Sequence, residues 1–95
     1  MRIKLRRFAQ IHIMRSMDIC LGILRRLIAK GDINSVPLAE RAINEYWDET
    51  PARARKSGLR LIQQDVLGQR KAVLGSQRNF ADAVTDYIDR KLAME

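Results

Sequence analysis

From Ile13 onward the apolar residues Ile13, Met17, Cys20, Leu24 and Leu27 step by four, three, four and three. That spacing keeps one stripe of an α-helix facing a neighbour and is incompatible with the two-residue period of a strand. Met14, Leu21 and Ile28 widen the stripe, while Ile19 and Ile23 are apolar on the other side, so the helix has more apolar surface than one neighbour covers. It is expected to contact two elements or a second subunit. Gly31 and Asp32 end it. Upstream, Ile3 and Leu5 alternate with Arg2, Lys4 and Arg6, and Ile11 and Ile13 alternate with Gln10 and His12. Part of residues 1–14 therefore also fits a short N-terminal strand.

Three further helices follow from local chemistry. Asn34 or Ser35 can cap the second, with Pro37 in its first turn and Leu38, Ala42, Ile43, Tyr46 and Trp47 as its buried stripe. Thr50 and Pro51 end that helix and start the third, on which Leu59, Ile62, Val66 and Val73 share a face. Gly58 and Gly68 each lower the intrinsic stability of the third helix by roughly 1 kcal/mol relative to alanine, which packing must offset. Gly75 and Ser76 make a break, Asn79 and Asp82 have the spacing of a capping box, and Phe80, Val84, Tyr87 and Ile88 carry the last helix. The expected fold is mainly α, a small bundle of about four helices formed by residues 1–95 as a single domain.

Ninety-five residues, 46% hydrophobic and 31% charged, describe a globular chain with one modest core. So small a core is often completed by a second copy or a partner, which makes a homo-oligomer or complex subunit the expectation. The single cysteine, Cys20, cannot form an internal disulfide, and a reducing, cytoplasmic setting is the simplest reading. Arg- and Lys-rich residues 1–7 resemble the start of a signal peptide, but His12, Arg15 and Asp18 interrupt the apolar run that should follow. Residues 1–17 are closer to an organellar presequence, although Ser16 is the only serine there. No run reaches the roughly 18 apolar residues of a membrane span.

The net charge of +7 is segregated. Residues 1–30 set Arg2, Lys4, Arg6, Arg7, Arg15, Arg25, Arg26 and Lys30 against Asp18 alone, and residues 52–78 set seven basic residues against Asp65. Between them, residues 31–51 carry Asp32, Glu40, Glu45, Asp48 and Glu49 against Arg41, and the C-terminal segment is acidic through Asp82, Asp86, Asp89 and Glu95. On the third helix Arg53, Lys56 and Arg60 share a face that Gln63, Gln64 and Lys71 continue, opposite the apolar stripe. Such a row suits a phosphate backbone, each neutralised phosphate releasing counterion. The expected function is therefore a nucleic-acid-binding accessory or regulatory protein, or a nucleoprotein subunit, using Arg53, Lys56, Arg60, Gln63, Gln64 and Lys71 with help from Arg2, Lys4, Arg6 and Arg7. The alternative is a helical protein-interaction module, an inhibitor or assembly subunit, whose basic face docks an acidic protein surface and whose Ile13, Met14, Met17, Leu21, Leu24 and Ile28 form a partner or oligomer interface. The row would also serve a solvated face, an intramolecular pairing with Asp82, Asp86 and Asp89, or a membrane surface. Phe8, Tyr46, Trp47, Phe80 and Tyr87 all fit apolar stripes, so recognition by base stacking is not expected.

Residues 9–47 resemble a ribbon-helix-helix module in part. The echo is Gln10, Ile11, His12, Ile13, Met14 and Arg15 as strand, Ser16 as cap, a helix ending at Lys30 and Gly31, and a second helix from Ser35. The resemblance implies a dimeric repressor in which Gln10, His12 and Met14 face bases while Ile11 and Ile13 enter the dimer core. The sequence departs from the pattern at Met14, a poor base reader, in a first helix apolar nearly all round, and in a glycine-to-second-helix spacing one residue long.

With one histidine and one cysteine, neither a Cys/His zinc site nor a His-activated nucleophile with spare ligands can be assembled. Asp82, Asp86 and Asp89 lie on one helical face, but a single helix cannot wrap a cation, and Arg90 and Lys91 adjoin them. The glycines form no phosphate-cradling loop. No catalytic residue, metal or cofactor is expected, and the chain is read as a binding protein rather than an enzyme.

Overall fold

A computed structural model of the chain describes the backbone of residues 2–94 and the side chains of residues 15–94. Four helices account for almost all of it: α1 (Arg2–Lys30), α2 (Val36–Glu49), α3 (Ala52–Ala72) and α4 (Gly75–Ala93). The backbone of α1 takes in the residues whose alternation also fitted a strand, so residues 10–15 do not form the ribbon of a ribbon-helix-helix module.

Each boundary has a local cause. Gly31 ends α1 in the left-handed region at φ 62°, its amide donating to Leu27 O at 3.0 Å. Only glycine meets both demands of that position, because a Cβ there would lie 2.8 Å from Ser76 Oγ and 2.9 Å from the Gln77 backbone. A single 3₁₀ turn, Ile33–Ser35, follows, capped by the Asp32 carboxylate, which accepts from Asn34 N–H at 3.0 Å. Pro37 sits in the first turn of α2, where its missing N–H costs nothing. At the other end Thr50 Oγ1 donates to Tyr46 O at 2.6 Å, and Arg55 Nε donates to Trp47 O and Thr50 O at 2.9 and 2.8 Å. Of the terminal carbonyls of α2, Tyr46 O is thus satisfied by the C-cap side chain and Trp47 O by Arg55 of α3. The fourth helix begins at Gly75, four residues before the capping box expected at Asn79, and its N-cap position, Leu74, makes no side-chain cap bond. Asp82 is turned instead to Arg70 on α3.

The four helices pack as two antiparallel hairpins. In one, α1 runs against α2; in the other, α3 runs against α4, and this second pair shares the most extensive contact. The hairpins lie so that α1 and α3 run in the same direction, with Met17 meeting Gly58 and Arg25 meeting Asp65. Likewise α2 runs alongside α4, where Asn44 Oδ1 accepts from Tyr87 Oη and Lys91 Nζ, both at 2.8 Å. α1 also touches α4, whereas the backbones of α2 and α3 stay apart and these helices meet through side chains, Tyr46 reaching Gly58 and Arg55 reaching Trp47. In cross-section the bundle is a rhombus with α2 and α3 at its far corners.

The core follows from the sequence periods. Cys20, Leu24 and Ile28 of α1, Ala39, Ala42, Ile43, Tyr46 and Trp47 of α2, Leu59, Ile62 and Val66 of α3, and Phe80, Ala81, Val84 and Ile88 of α4 are buried together. Met17 and Leu21 pack against this cluster. The α1 face expected to receive a partner is therefore used within the chain at Met17, Leu21, Leu24 and Ile28, because three neighbouring helices already cover it. Ile13 and Met14 lie outside the described side chains. Burial pushes the Cys20 thiol up to about 12, the nearby charge of Glu45 adding to the effect. Among the described residues no helix is long and apolar enough to cross a membrane.

Candidate interaction surface

The outer side of α3 points away from all three other helices. Its first half is opened by Pro51, and its inward stripe of Leu59, Ile62 and Val66, fully buried, fixes the rotation of the helix. At 100° per residue, that rotation sends Arg53, Arg60, Gln64 and Lys71 outward within about 40° of one another. All four are exposed, and Arg53, Arg60 and Lys71 make no ion pair or hydrogen bond among the described residues. Along the axis the three cations are separated by about 10 Å and about 17 Å, at a rise of about 1.5 Å per residue.

The rest of the expected row is spent inside the fold. Gln63 Nε2 faces α4, donating to Asp89 Oδ1 at 2.7 Å and Thr85 O at 3.3 Å. Lys56 is half-buried and engaged. Two other basic residues of the segment also pair across the α3/α4 seam: Arg70 with Asp82, and Arg78 through Nε to Arg70 O at 3.3 Å. Arg55 caps α2 and lies 5.6 Å from the Trp47 ring centroid, a cation–π contact shared by Lys91 at 5.4 Å from the same ring. Arg25 makes a two-pronged contact to Asp65, Nη2 to Oδ1 at 2.7 Å and Nε to Oδ2 at 3.0 Å, which together with Gln69 holds the Asp65 carboxyl below its ordinary value. Side chains of Arg2, Lys4, Arg6 and Arg7 lie outside the described ones.

A feature that charge counting overlooks is apolar. Leu61, 56% exposed, and Leu67, 38% exposed, flank the Arg60–Gln64–Lys71 line, and Leu74 lies exposed just beyond the helix end. Gly68 on the same side has no atom within 4 Å of where a Cβ would stand, so the helix is open there. The signal was present in the sequence as two leucines off the inward stripe, but it reads as core until the rotation of α3 is known. Among the described residues the aromatic rings are all placed elsewhere: Tyr46, Trp47 and Phe80 are buried, and Tyr87 is held against Asn44.

The opposite corner has the opposite character. Glu45, Asp48 and Glu49 are exposed on the outer side of α2 together with Arg41, Asp48 lining a cavity with Arg90 and Lys91 of α4 and Glu49 one with Arg15 of α1. Beside them a groove of about 200 Å³ runs between α1 and α2, lined by Ser16, Ile19, Ile23, Ala42, Glu45 and Glu49. Ser16 Oγ donates to Glu49 Oε2 at 2.6 Å across its floor. Among the described residues no three His, Cys, Asp or Glu side chains are gathered as metal ligands, Asp82 and Asp89 being turned to α3.

No known protein family matches the chain, and neither curated proteins nor solved structures compared with it gave a significant match.

Proposed function

We propose that this chain is a helical protein-interaction module that docks the outer face of α3 onto an acidic partner surface with apolar positions. The observation that carries this reading is the mixture on that face: three cations without a partner among the described residues, Arg53, Arg60 and Lys71, set among the exposed leucines Leu61 and Leu67. Phosphates offer nothing to a leucine, whereas a protein surface that covers these side chains gains about 25 cal/mol for each Å² of apolar area removed from water. The cations then select an acidic partner and set its orientation.

Nucleic-acid backbone binding is the second reading, favoured by the alignment of Arg53, Arg60 and Lys71 along one side of the helix. Three phosphate contacts give a salt slope of only about −3, which corresponds to weak, sequence-independent binding. The two readings separate experimentally. A helical peptide with leucines between glutamates, a generic DNA duplex and a single-stranded RNA are titrated against the protein at several salt concentrations. The protein-docking reading expects the peptide to bind, with the affinity falling roughly tenfold on Leu61→Gln and more on Arg60→Glu with Lys71→Glu. Preference for the nucleic acids, abolished by the charge reversals but untouched by Leu61→Gln, would overturn it in favour of backbone binding.

A further inference from the structure

The faces at the two far corners of the bundle complement each other. The α3 face presents Arg53, Arg60 and Lys71 with no unpaired carboxylate among them, since Asp65 is turned to Arg25 on α1. The α2 side presents Glu45, Asp48 and Glu49 against Arg41, with Arg15 at one end of the adjoining groove and Arg90 and Lys91 of α4 across a cavity from Asp48. Apolar character matches as well as charge. Leu61 and Leu67 stand out from the basic face, and Ile19, 54% exposed, together with Ile23 lines the groove beside the acids. A groove of about 200 Å³ has room for one leucine side chain. Gly68 leaves α3 open on that side, and Gly22 of α1 likewise has no atom within 4 Å of its Cβ position.

We infer that the acidic surface received by α3 is that of a second copy of this chain, its α1/α2 groove taking Leu61 while the carboxylates of Glu45 and Asp48 beside it face Arg60, with Lys71 adding its charge further along the same side of α3. This rests on the protein-docking reading of α3. Because plug and socket lie at opposite corners, the contact is head-to-tail and each copy keeps one of each unsatisfied. Association therefore does not stop at a two-fold dimer but continues into a ring or an open chain. The net charge of +7 opposes this at long range. At 0.15 M ionic strength that repulsion is screened beyond about 8 Å, so the local faces decide.

Charge reversal tests the arrangement. Sedimentation velocity at 0.15 M salt is run over a concentration series on the whole chain, on Arg60→Glu/Lys71→Glu, on Glu45→Lys/Asp48→Lys, and on an equimolar mixture of the two variants. All four substituted side chains are exposed, and circular dichroism verifies that each variant keeps its helices. The wild type is expected to grow in mass past the dimer as concentration rises. Each variant alone has two like-charged faces and should lose association by at least about tenfold, and the mixture should regain it. A wild type that stays monomeric, one that stops at a closed dimer, or a mixture that fails to re-associate overturns the inference. The leucine-glutamate peptide distinguishes the two levels: if it still binds α3 while self-association fails, only the identity of the partner falls, and if it does not bind, the docking reading falls with it.

Discussion

Tyr46 crosses the core from α2 to end against the backbone of Gly58 on α3, where a Cβ would stand 1.8 Å from the phenol oxygen and 3.0 Å from Cζ. The glycine that weakens α3 by intrinsic propensity is thus the notch that lets Tyr46 in, with Met17 Cε alongside at 3.4 Å from the same point. Gly58→Ala gains about 1 kcal/mol in helix propensity and loses more to overpacking, so a net loss of about 2 kcal/mol is expected. The Tyr46 hydroxyl is buried without a hydrogen-bond partner among the described residues. Tyr46→Phe should therefore leave stability unchanged or raise it by about 1 kcal/mol, and should recover part of the Gly58→Ala loss by removing the closest clash. Urea denaturation of the four proteins of this double-mutant cycle checks the pair; additive effects would show that the two residues do not share the notch.

At the level of the helix, Gly68 is the contrasting case. It has no neighbour that a methyl group would disturb, so Gly68→Ala should stabilise the chain by about 1 kcal/mol in thermal or urea unfolding, with its fold unchanged. A loss would mean that α3 needs the glycine for a contact within the bundle. The same helix shows what one-dimensional pattern can and cannot resolve. Its start at Pro51, its inward Leu59, Ile62 and Val66, and the stops at Gly31 and Thr50 were legible because each depends on residues within one or two turns. The partners of its polar side chains were not legible: Arg25 meets Asp65 across 40 residues and Gln63 meets Asp89 across 26. Those pairings depend on how two helices slide past one another, which no spacing on a single helix encodes. For this reason the basic row shrank from the expected set to Arg53, Arg60, Gln64 and Lys71. That α4 begins at Gly75 and not after a cap at Asn79 belongs with these pairings, since Asp82 meets Arg70 on α3 in place of an amide on its own helix.

On the scale of the whole molecule, stability depends on how the α1/α2 hairpin is joined to the α3/α4 hairpin, and Arg25–Asp65 is one of the polar joints. Its Asp65 carboxyl is held below the ordinary 3.8 by the Arg25 hydrogen bond first and by Gln69 and the Arg25 charge as well, against an opposing desolvation. A carboxyl that ionises more readily folded than unfolded contributes fully above that ordinary value, and the contribution disappears as the pH falls through the depressed one. With both partners reached by solvent, the pair is worth no more than about 1 kcal/mol. Asp65→Asn should be less stable than wild type at pH 7 by about that amount or less, and the gap should close in acid. Urea midpoints for both proteins between pH 7 and pH 2 provide the check; a gap that persists at pH 2 would assign the effect to packing.

At the end of the bundle, the two hairpins abut with no clearance, because the hydrogen of Gly31 occupies the only space left beside Ser76 and Gln77. The bend that reverses the chain between α1 and α2 is thereby also a floor for the opening of α4. Any side chain at that bend would push the start of α4 outward, so the turn of one hairpin sets how near the other can come.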